Sequence, residues 1–207
     1  MPDPWDEWIP GVLNQEQMKD LCERDLIKLN APFDEGFLDA SSIDLHLTKD
    51  AFQMIKGSVK PTRDRPYSYF LKQSYLAREH FPEKDGAFLL KNKETYVFKL
   101  RERLGKPLAE LGVFGQATAK SSVGRVDVLA RLIVDGMDTY ESFTPQCFDS
   151  GGGDMYLEIT PITFSVLVKP DTSLSQLRLF YGDPVNVAVE GRELFRLYIV
   201  MQRKMEA

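Results

Sequence analysis

From residue 87 onwards the sequence is a series of short segments rich in Val, Ile, Leu, Phe and Tyr, separated by turn residues. Gly105-Lys106-Pro107 and Gly182-Asp183-Pro184 are examples of these turns. Many short strands at near-regular spacing predict an all-β barrel or sandwich. The predicted strands are 87–90, 95–100, 113–118, 126–134, 155–160, 163–169, 174–180, 185–189 and 194–201. The chain has 207 residues and is 43% hydrophobic, so a sizeable core can form.

The N-terminal part of the chain contains a helix signal. Asn14 followed by Gln17 resembles a capping box. Met18, Leu21, Cys22 and Leu26 then recur at helical spacing, which predicts an amphipathic helix over about 14–28. Residues 42–47 alternate with period two and predict a strand.

Residues 57–86 are the least regular part of the chain, with several prolines and glycines and many charges. We interpret them as an insertion or long excursion. Their five aromatic residues predict a packed rather than disordered segment, with stacking on a nucleobase as the alternative. We therefore predict one domain over 1–207, with an N-terminal arm and helix over 1–30.

Composition excludes several classes of function. The formal net charge of −5 argues against a general binder of nucleic acid or membranes. Two cysteines and two histidines in no ligand spacing argue against a zinc site, and we predict no metal-ligand cluster. Residues 1–8 are acidic and contain prolines, unlike a secretory signal, and no apolar run approaches the ~20 residues of a membrane span. We expect a cytoplasmic protein.

The segment Lys120-Ser121-Ser122-Val123-Gly124 combines a cation, two hydroxyls and a glycine, and Arg125 follows. Interpreted as a loop, it suits a polyphosphate, because hydroxyls and backbone N–H groups backed by cations bind phosphate oxygens. Gly124 would let the backbone adopt a positive φ or lie close to a ligand. The alternatives are an ordinary turn and a surface ion pair between Arg125 and Asp127.

Glu158 is a carboxylate inside an apolar strand. If Leu157 and Ile159 face the core, Glu158 points to the opposite face, either to solvent or into a water-poor pocket where it transfers protons. Asp44 also lies between apolar residues, and either caps a turn or binds Mg²⁺ that a nucleotide brings. Gln176 either donates to a phosphate or faces solvent.

Four segments, in this order along the chain, resemble the motifs of dCTP deaminases. Residues 41–47 (Ser-Ser-Ile-Asp-Leu-His-Leu) are similar to an early strand of that family. Residues 120–126 are similar to its phosphate and catalytic segment, and residues 156–159 to its catalytic strand with a Leu-Glu pair. Residues 170–180 are similar to the segment that follows. Four ordered motifs are more specific than any one alone.

The resemblance extends from about residue 11 to residue 181, and residues 119–134 are similar to a bacterial branch whose longer members carry two copies of the fold. It implies a distorted β-barrel of the dUTPase-like type and zinc-independent hydrolysis of dCTP to dUTP and ammonia. It also implies a homotrimer with sites between subunits, and Mg²⁺ that arrives with the triphosphate.

The resemblance assigns roles to individual residues. Glu158 would activate water and carry its proton to the cytosine ring and the leaving amine, and Ser121 would hold the water or the ring. Arg125 would offset charge in the transition state, while Lys120 and Ser122 would hold phosphates. The other predicted substrate-binding positions are Gly124, Asp138 and Gln176.

Three features depart from the family pattern. The connection between Arg125 and Glu158 is long, and its sugar-and-base hairpin matches poorly; we assign Asp138 to the sugar, with Asp135 and Glu141 as alternatives. Residues 197–204 predict a strand where the family has a C-terminal lid. Only one copy of the fold is present. The alternatives to a deaminase are therefore a dUTPase, a bifunctional deaminase–diphosphatase, and a catalytically silent nucleotide-binding or assembly module.

Overall fold

The computed structural model of the protein describes residues 11–30, 34–150 and 152–182. Within these ranges the strands are β1 (Gly11–Val12), β2 (Ile27–Lys28), β3 (Leu38–Asp39), β4 (Ser42–Met54), β5 (Ala77–Glu79), β6 (Phe88–Leu90), β7 (Tyr96–Leu104), β8 (Val113–Ala119), β9 (Val128–Val134), β10 (Ser142–Phe143), β11 (Asp154–Pro161), β12 (Val166–Val168) and β13 (Ser173–Tyr181). The helices are α1 (Gln15–Glu23), α2 (Tyr67–Leu71), α3 (Pro107–Glu110) and α4 (Ser121–Arg125), with 3₁₀ turns at Glu35–Phe37 and Pro145–Ser150.

The main sheet of the described residues is antiparallel and curls towards closure. Its strands follow the order β10-β8-β13-β4-β7-β11-β9, and β6 pairs with β12 separately. Glu141 closes the seam between β8 and β9: its N–H donates to the Leu132 carbonyl (2.9 Å) and its carbonyl accepts from the Ala117 N–H (2.6 Å). The predicted mainly β, barrel-like fold is confirmed.

Strand β4 links the two halves of the barrel. Its first residues pair with β13, and its later residues pair with β7 after a change of register between Leu47 and Ala51. A strand of 13 residues can serve both halves only if it bends, and an irregularity in the ladder allows that bend. The two halves therefore share one continuous apolar core.

A second, smaller core lies on the outer face of β7, β9 and β11. It contains Val97, Ile133 and Tyr156 from these strands, and Tyr67 and Leu71 from α2 cover them. The segment 57–86 is thus packed, as predicted, and Tyr67 is only 1% exposed. The prediction does not hold for all its aromatics: Tyr75 and Phe81 are 64% and 71% exposed.

The N-terminal helix is shorter than predicted. The capping box of Asn14 and Gln17 is present, but α1 ends at Glu23 instead of continuing to residue 28. Asp25 adopts a positive φ of 56°, and the Leu26 N–H donates to the Leu21 carbonyl (2.9 Å). This is the Schellman arrangement that terminates helices, and it releases residues 27–28 to pair with β7.

The strand predicted over 42–47 begins at the predicted residue, but β4 continues to Met54. The other predicted strands agree with the structure within about four residues where the structure describes them. Four begin later than predicted: β6 and β7 by one residue each, β9 at Val128 rather than 126, and β12 at Val166 rather than 163. The predicted strands at 185–189 and 194–201, the C-terminal lid position and residues 1–8 lie outside the described residues. None of the described helices has the length and apolar character needed to cross a bilayer.

Candidate functional site

Glu158 lies in the middle of β11, between β7 and β9. Its cross-strand neighbours are Val97 and Arg131. Leu157 and Ile159 enter the main core, so Glu158 points to the opposite face, as predicted. That face is covered rather than open, and Glu158 is only 3% exposed. The solvent-facing alternative is therefore wrong, and the carboxylate lies in a nearly dry environment.

Arg131 holds one oxygen of this carboxylate. Its Nε and Nη2 atoms lie 3.1 Å and 2.5 Å from Oε1 of Glu158. Nη2 also donates to the Ser58 hydroxyl (3.2 Å), and the guanidinium lies 4.1 Å from the centre of the Tyr140 ring. Two hydrogen bonds from one guanidinium hold Oε1 in place, and the positive charge offsets the cost of burying the carboxylate. Arg131 did not emerge from the sequence; the signal would have been its position opposite Glu158, which requires the register of β9 and β11.

The second oxygen of Glu158 has a different environment. Within the described residues the hydrogen-bond partner of Oε2 is the Tyr140 hydroxyl, at 3.4 Å. Burial, followed by the charge of Glu158, raises the pKa of Tyr140 to about 12. The phenol is therefore protonated at neutral pH and donates to Oε2. This contact is long and weak, so Oε2 is the oxygen available to a water or a substrate.

The cover over Glu158 comes from the 57–86 segment. The Val59 carbonyl accepts from the Tyr67 hydroxyl (2.8 Å) and from the Tyr140 hydroxyl (3.3 Å). The Tyr67 N–H in turn donates to Asp135 Oδ1 (2.7 Å). Burial raises the pKa of Asp135 to about 6. Asp135 thus anchors the cover to the end of β9, which leaves it poorly placed as the alternative sugar ligand.

The Lys120–Gly124 segment is not the predicted loop. Ser121 to Arg125 form the one-turn helix α4, packed beside β9 through the buried Val123. Gly124 does not have a positive φ, so its conformational freedom is not used. The space beside its Cα is open, however, and the backbone can be approached closely.

The polar side chains of α4 point outward. Ser121, Ser122 and Arg125 are exposed. Arg125 forms no ion pair with any described residue; Asp127 instead accepts a hydrogen bond from Thr163. The alternative of a surface pair between Arg125 and Asp127 is therefore wrong. The helix α4 presents two hydroxyls and a guanidinium that has no ion-pair partner among the described residues.

Lys120, Asp44 and Gln176 lie together on the other half of the barrel. Lys120 Nζ is 2.5 Å from Asp44 Oδ2. Gln176 is in register with Asp44 on β4 and with Thr118 on β8, so the side chains of Asp44, Thr118 and Gln176 share the outer face of the sheet. Asp44 is thus an ion-pair partner rather than a turn cap. The remaining predicted residue, Asp138, pairs with Arg63 at 3.3 Å.

The candidate residues therefore fall into two groups in the described chain. One is the carboxylate group of Glu158, Arg131 and Tyr140; the other contains Lys120, Asp44 and Gln176, with α4 following Lys120. No hydrogen bond or ion pair between described residues connects them. A cavity of about 360 Å³ on the outer face is lined by residues that include Tyr156 and Lys99, and none of the predicted site residues lines it. The described residues contain no cluster of three or more His, Cys, Asp or Glu suited to a metal ion.

A barrel of this topology, with a buried carboxylate on an inner strand and a polar one-turn helix after β8, belongs to the dUTPase-like class of folds. Residues 9–183 match the family model described as the 2'-deoxycytidine 5'-triphosphate deaminase (DCD) N-terminal domain. The match covers most of the chain, and the chain belongs to this family.

A solved structure has the same fold. The crystal structure of 2'-deoxycytidine 5'-triphosphate deaminase from Agrobacterium tumefaciens superposes with a TM-score of 0.77 at 24% sequence identity. The match covers 92% of this chain and 52% of the other, so the chain spans about half the length of that deaminase. None of the curated proteins compared with the chain matches it.

Proposed function

We propose that the protein hydrolyses dCTP to dUTP and ammonia, in pyrimidine deoxynucleotide metabolism in the cytoplasm. The observation that carries the proposal is the buried Glu158 carboxylate, with Oε1 fixed by Arg131 and Oε2 weakly bound. Hydrolytic deamination needs a group that takes a proton from water and gives it back at another atom. A nearly dry carboxylate with one available oxygen suits that task. The family membership supports the same reaction.

The proton transfers balance with Glu158 alone. Oε2 accepts a proton from a water as the water oxygen bonds to C4 of cytosine, and returns it to N3. The tetrahedral intermediate then passes its hydroxyl proton through Oε2 to the C4 amine. The C–N bond breaks, ammonia leaves, and the N3 proton stays on the uracil product. In this proposal Glu158 both activates the water and carries the protons, and the scheme includes no zinc.

The other predicted residues bind substrate in this proposal. Lys120 and the Ser122 hydroxyl hold the triphosphate, which arrives with Mg²⁺, while Gln176 donates to a phosphate oxygen. Ser121 holds the water or the ring, and Arg125 offsets the negative charge that develops in the transition state. The open space beside Gly124 admits the ligand, and Asp138 contacts the sugar once it leaves Arg63.

We further propose that the site lies between the subunits of a homotrimer. The support is that no hydrogen bond or ion pair between described residues joins the two groups, together with the exposure of Ser121 and Arg125. A neighbouring copy can bring its α4 to the Glu158 of the first.

Product analysis tests the reaction. Wild-type protein and dCTP with Mg²⁺ should yield dUTP and ammonia in equal amounts. Glu158→Gln should lower kcat by roughly 10²–10⁴-fold, the range for losing a general acid–base group. Glu110→Gln, an exposed change in α3, is the matched control and should leave the rate unchanged. dUMP with pyrophosphate would assign the bifunctional or dUTPase alternative, and folded protein without turnover would assign the silent module.

Mixed oligomers test the shared site. Glu158→Gln and Arg125→Gln should each be inactive alone. After mixing and reassembly in equal amounts, about a quarter of sites would pair an intact Glu158 with an intact Arg125 from another chain. Recovered activity near that fraction supports the shared site. Mixed trimers that remain inactive, while Arg178→Gln in the same protocol is active, would contradict it.

A further inference from the structure

We propose that Tyr140 is a positioning residue, which holds Oε2 of Glu158 for proton transfer and releases it to the incoming water. The inference rests on the proposed function. Tyr140 lies in the long connection between β9 and β11, where the sequence predicts residues that contact the sugar but none that contacts the carboxylate. Its hydroxyl and its ring contact both members of the Glu158–Arg131 pair.

The hydroxyl has one proton and two acceptors at nearly equal distance. Glu158 Oε2 lies 3.4 Å away and the Val59 carbonyl 3.3 Å away. A phenol donates only one hydrogen bond at a time. When a water molecule donates to Oε2, the Tyr140 hydroxyl can rotate and donate to the Val59 carbonyl instead, so that both the phenol and the carboxylate keep a hydrogen-bond partner. The exchange replaces one hydrogen bond by another, so releasing Oε2 costs little.

The Val59 carbonyl does not depend on Tyr140. Tyr67 already donates to it at 2.8 Å, a shorter contact than that of Tyr140. A carbonyl oxygen has two acceptor sites, so both tyrosines can be accommodated. The two phenols thus share one carbonyl, and within the described residues the hydroxyl that also reaches Glu158 belongs to Tyr140. Tyr140→Phe and Tyr67→Phe are therefore a matched pair of variants, because each removes a hydroxyl from the Val59 carbonyl but only the first removes one from Glu158.

The ring of Tyr140 adds a second constraint. The Arg131 guanidinium lies 4.1 Å from the ring centre, within the range of a cation–π interaction. Glu141, the next residue, is fastened to β9 and β8 through its backbone. The ring is therefore held against the strand and supports the guanidinium that fixes Oε1. Among the described residues, the titratable or charged groups that face Glu158 are Arg131 on β9, Tyr140 and Tyr67, while Val97 on β7 is apolar.

The test compares kcat and KM of Tyr140→Phe with those of Tyr67→Phe in dCTP deamination. Phenylalanine keeps both rings and removes one hydroxyl each time. For Tyr140→Phe we expect kcat to fall about tenfold with KM for dCTP within about twofold, since the lost contact acts on the chemical step. Tyr67→Phe should lower kcat by no more than about twofold, because its hydroxyl does not reach Glu158. An unchanged kcat in Tyr140→Phe, or equal falls in kcat in both variants, would overturn the inference.

A second measurement separates this inference from the reaction itself. In protein with ¹³Cδ-labelled glutamate, the signal absent from Glu158→Gln identifies Glu158. At pH 7, Tyr140→Phe should change the chemical shift of that carboxyl carbon relative to the wild type, because the carboxylate loses a hydrogen-bond donor, and Tyr67→Phe should not. If the wild type does not deaminate dCTP but the shift is seen, the proposed function is wrong and the Tyr140 contact stands. No shift would refute the contact whatever the activity.

Discussion

Replacing Arg131 by methionine should destabilise the fold more than replacing its partner Glu158 by glutamine. The two side chains form one ion pair but differ in burial: Glu158 is 3% exposed and the Arg131 side chain 42% exposed. Arg131→Met leaves a carboxylate buried without its partner. Glu158→Gln leaves a guanidinium that water already reaches. Removing the arginine should therefore lower the free energy of unfolding more than removing the glutamate charge.

The magnitudes follow from that asymmetry. Removing one partner of a fully buried pair costs roughly 3–5 kcal/mol, because the remaining charge stays desolvated. Water reaches the Arg131 side, and Tyr140 still donates to Oε2, so we take a lower value of about 2–3 kcal/mol for Arg131→Met. Glu158→Gln keeps an acceptor for Arg131 and should cost about 1 kcal/mol. The double variant should cost less than the sum, because neither charge is then left alone.

Urea unfolding followed by circular dichroism measures these free energies, at one fixed protein concentration because the proposed assembly would contribute to apparent stability. At pH 7 the difference between the two variants should be about 1–2 kcal/mol. Arg178→Met, an exposed change on β13, is the control for losing an arginine. Equal penalties for Arg131→Met and Glu158→Gln at pH 7, or an additive double variant, would refute the reasoning.

Three further results are expected. Burial raises the pKa of Asp135 to about 6, so the native state binds this proton more tightly than the unfolded chain, and stability falls as pH rises from about 4 to 6. Asp135→Asn keeps an acceptor for the Tyr67 N–H and should remove most of this pH dependence. In urea titrations at several pH values, the variant should be more stable than the wild type by about 2 kcal/mol at pH 7. Gly115→Ala would place a Cβ 2.1 Å from the Phe143 ring and should lower Tm by several degrees in calorimetry, whereas an unchanged Tm would show that Phe143 moves freely. Lys120→Met should raise KM for dCTP at least about tenfold with kcat nearly unchanged in steady-state kinetics; a fall in kcat alone would place Lys120 in the chemical step instead.

The strands could be predicted from the sequence because their apolar segments are short and clearly bounded. The predicted end of α1 and the predicted start of β9 were wrong because a single residue at each boundary has a positive φ. Asp25 ends α1 with a positive φ, and Asp127, with φ of 54°, delays the start of β9. Both positions have a side chain that tolerates the left-handed region less readily than glycine, so the sequence carries only a weak signal there.

The candidate site divides in the same way. Glu158 could be found from the sequence, because a carboxylate between strand formers stands out within one segment. Arg131 could not, since its role depends on the register between β9 and β11 across a connection of nineteen intervening residues, 135–153. Tyr140 lies inside that connection, where no periodic pattern indicates which side chains turn towards the strand. Pairings between distant segments are a property of the folded barrel, and local patterns do not contain them.

The environment of Glu158 comes from the part of the chain with the weakest secondary-structure pattern. Strand alternation only places the carboxylate on the outer face of β11, and an outer face would ordinarily be wet. The irregular 57–86 segment makes it dry by packing Tyr67 over Tyr156 and setting the Val59 carbonyl above the site. A chain with the same strands and a shorter connection after β4 would lack these contacts on that face of the barrel. The segment with the weakest secondary-structure pattern therefore supplies the burial that the proposed role of Glu158 in proton transfer requires.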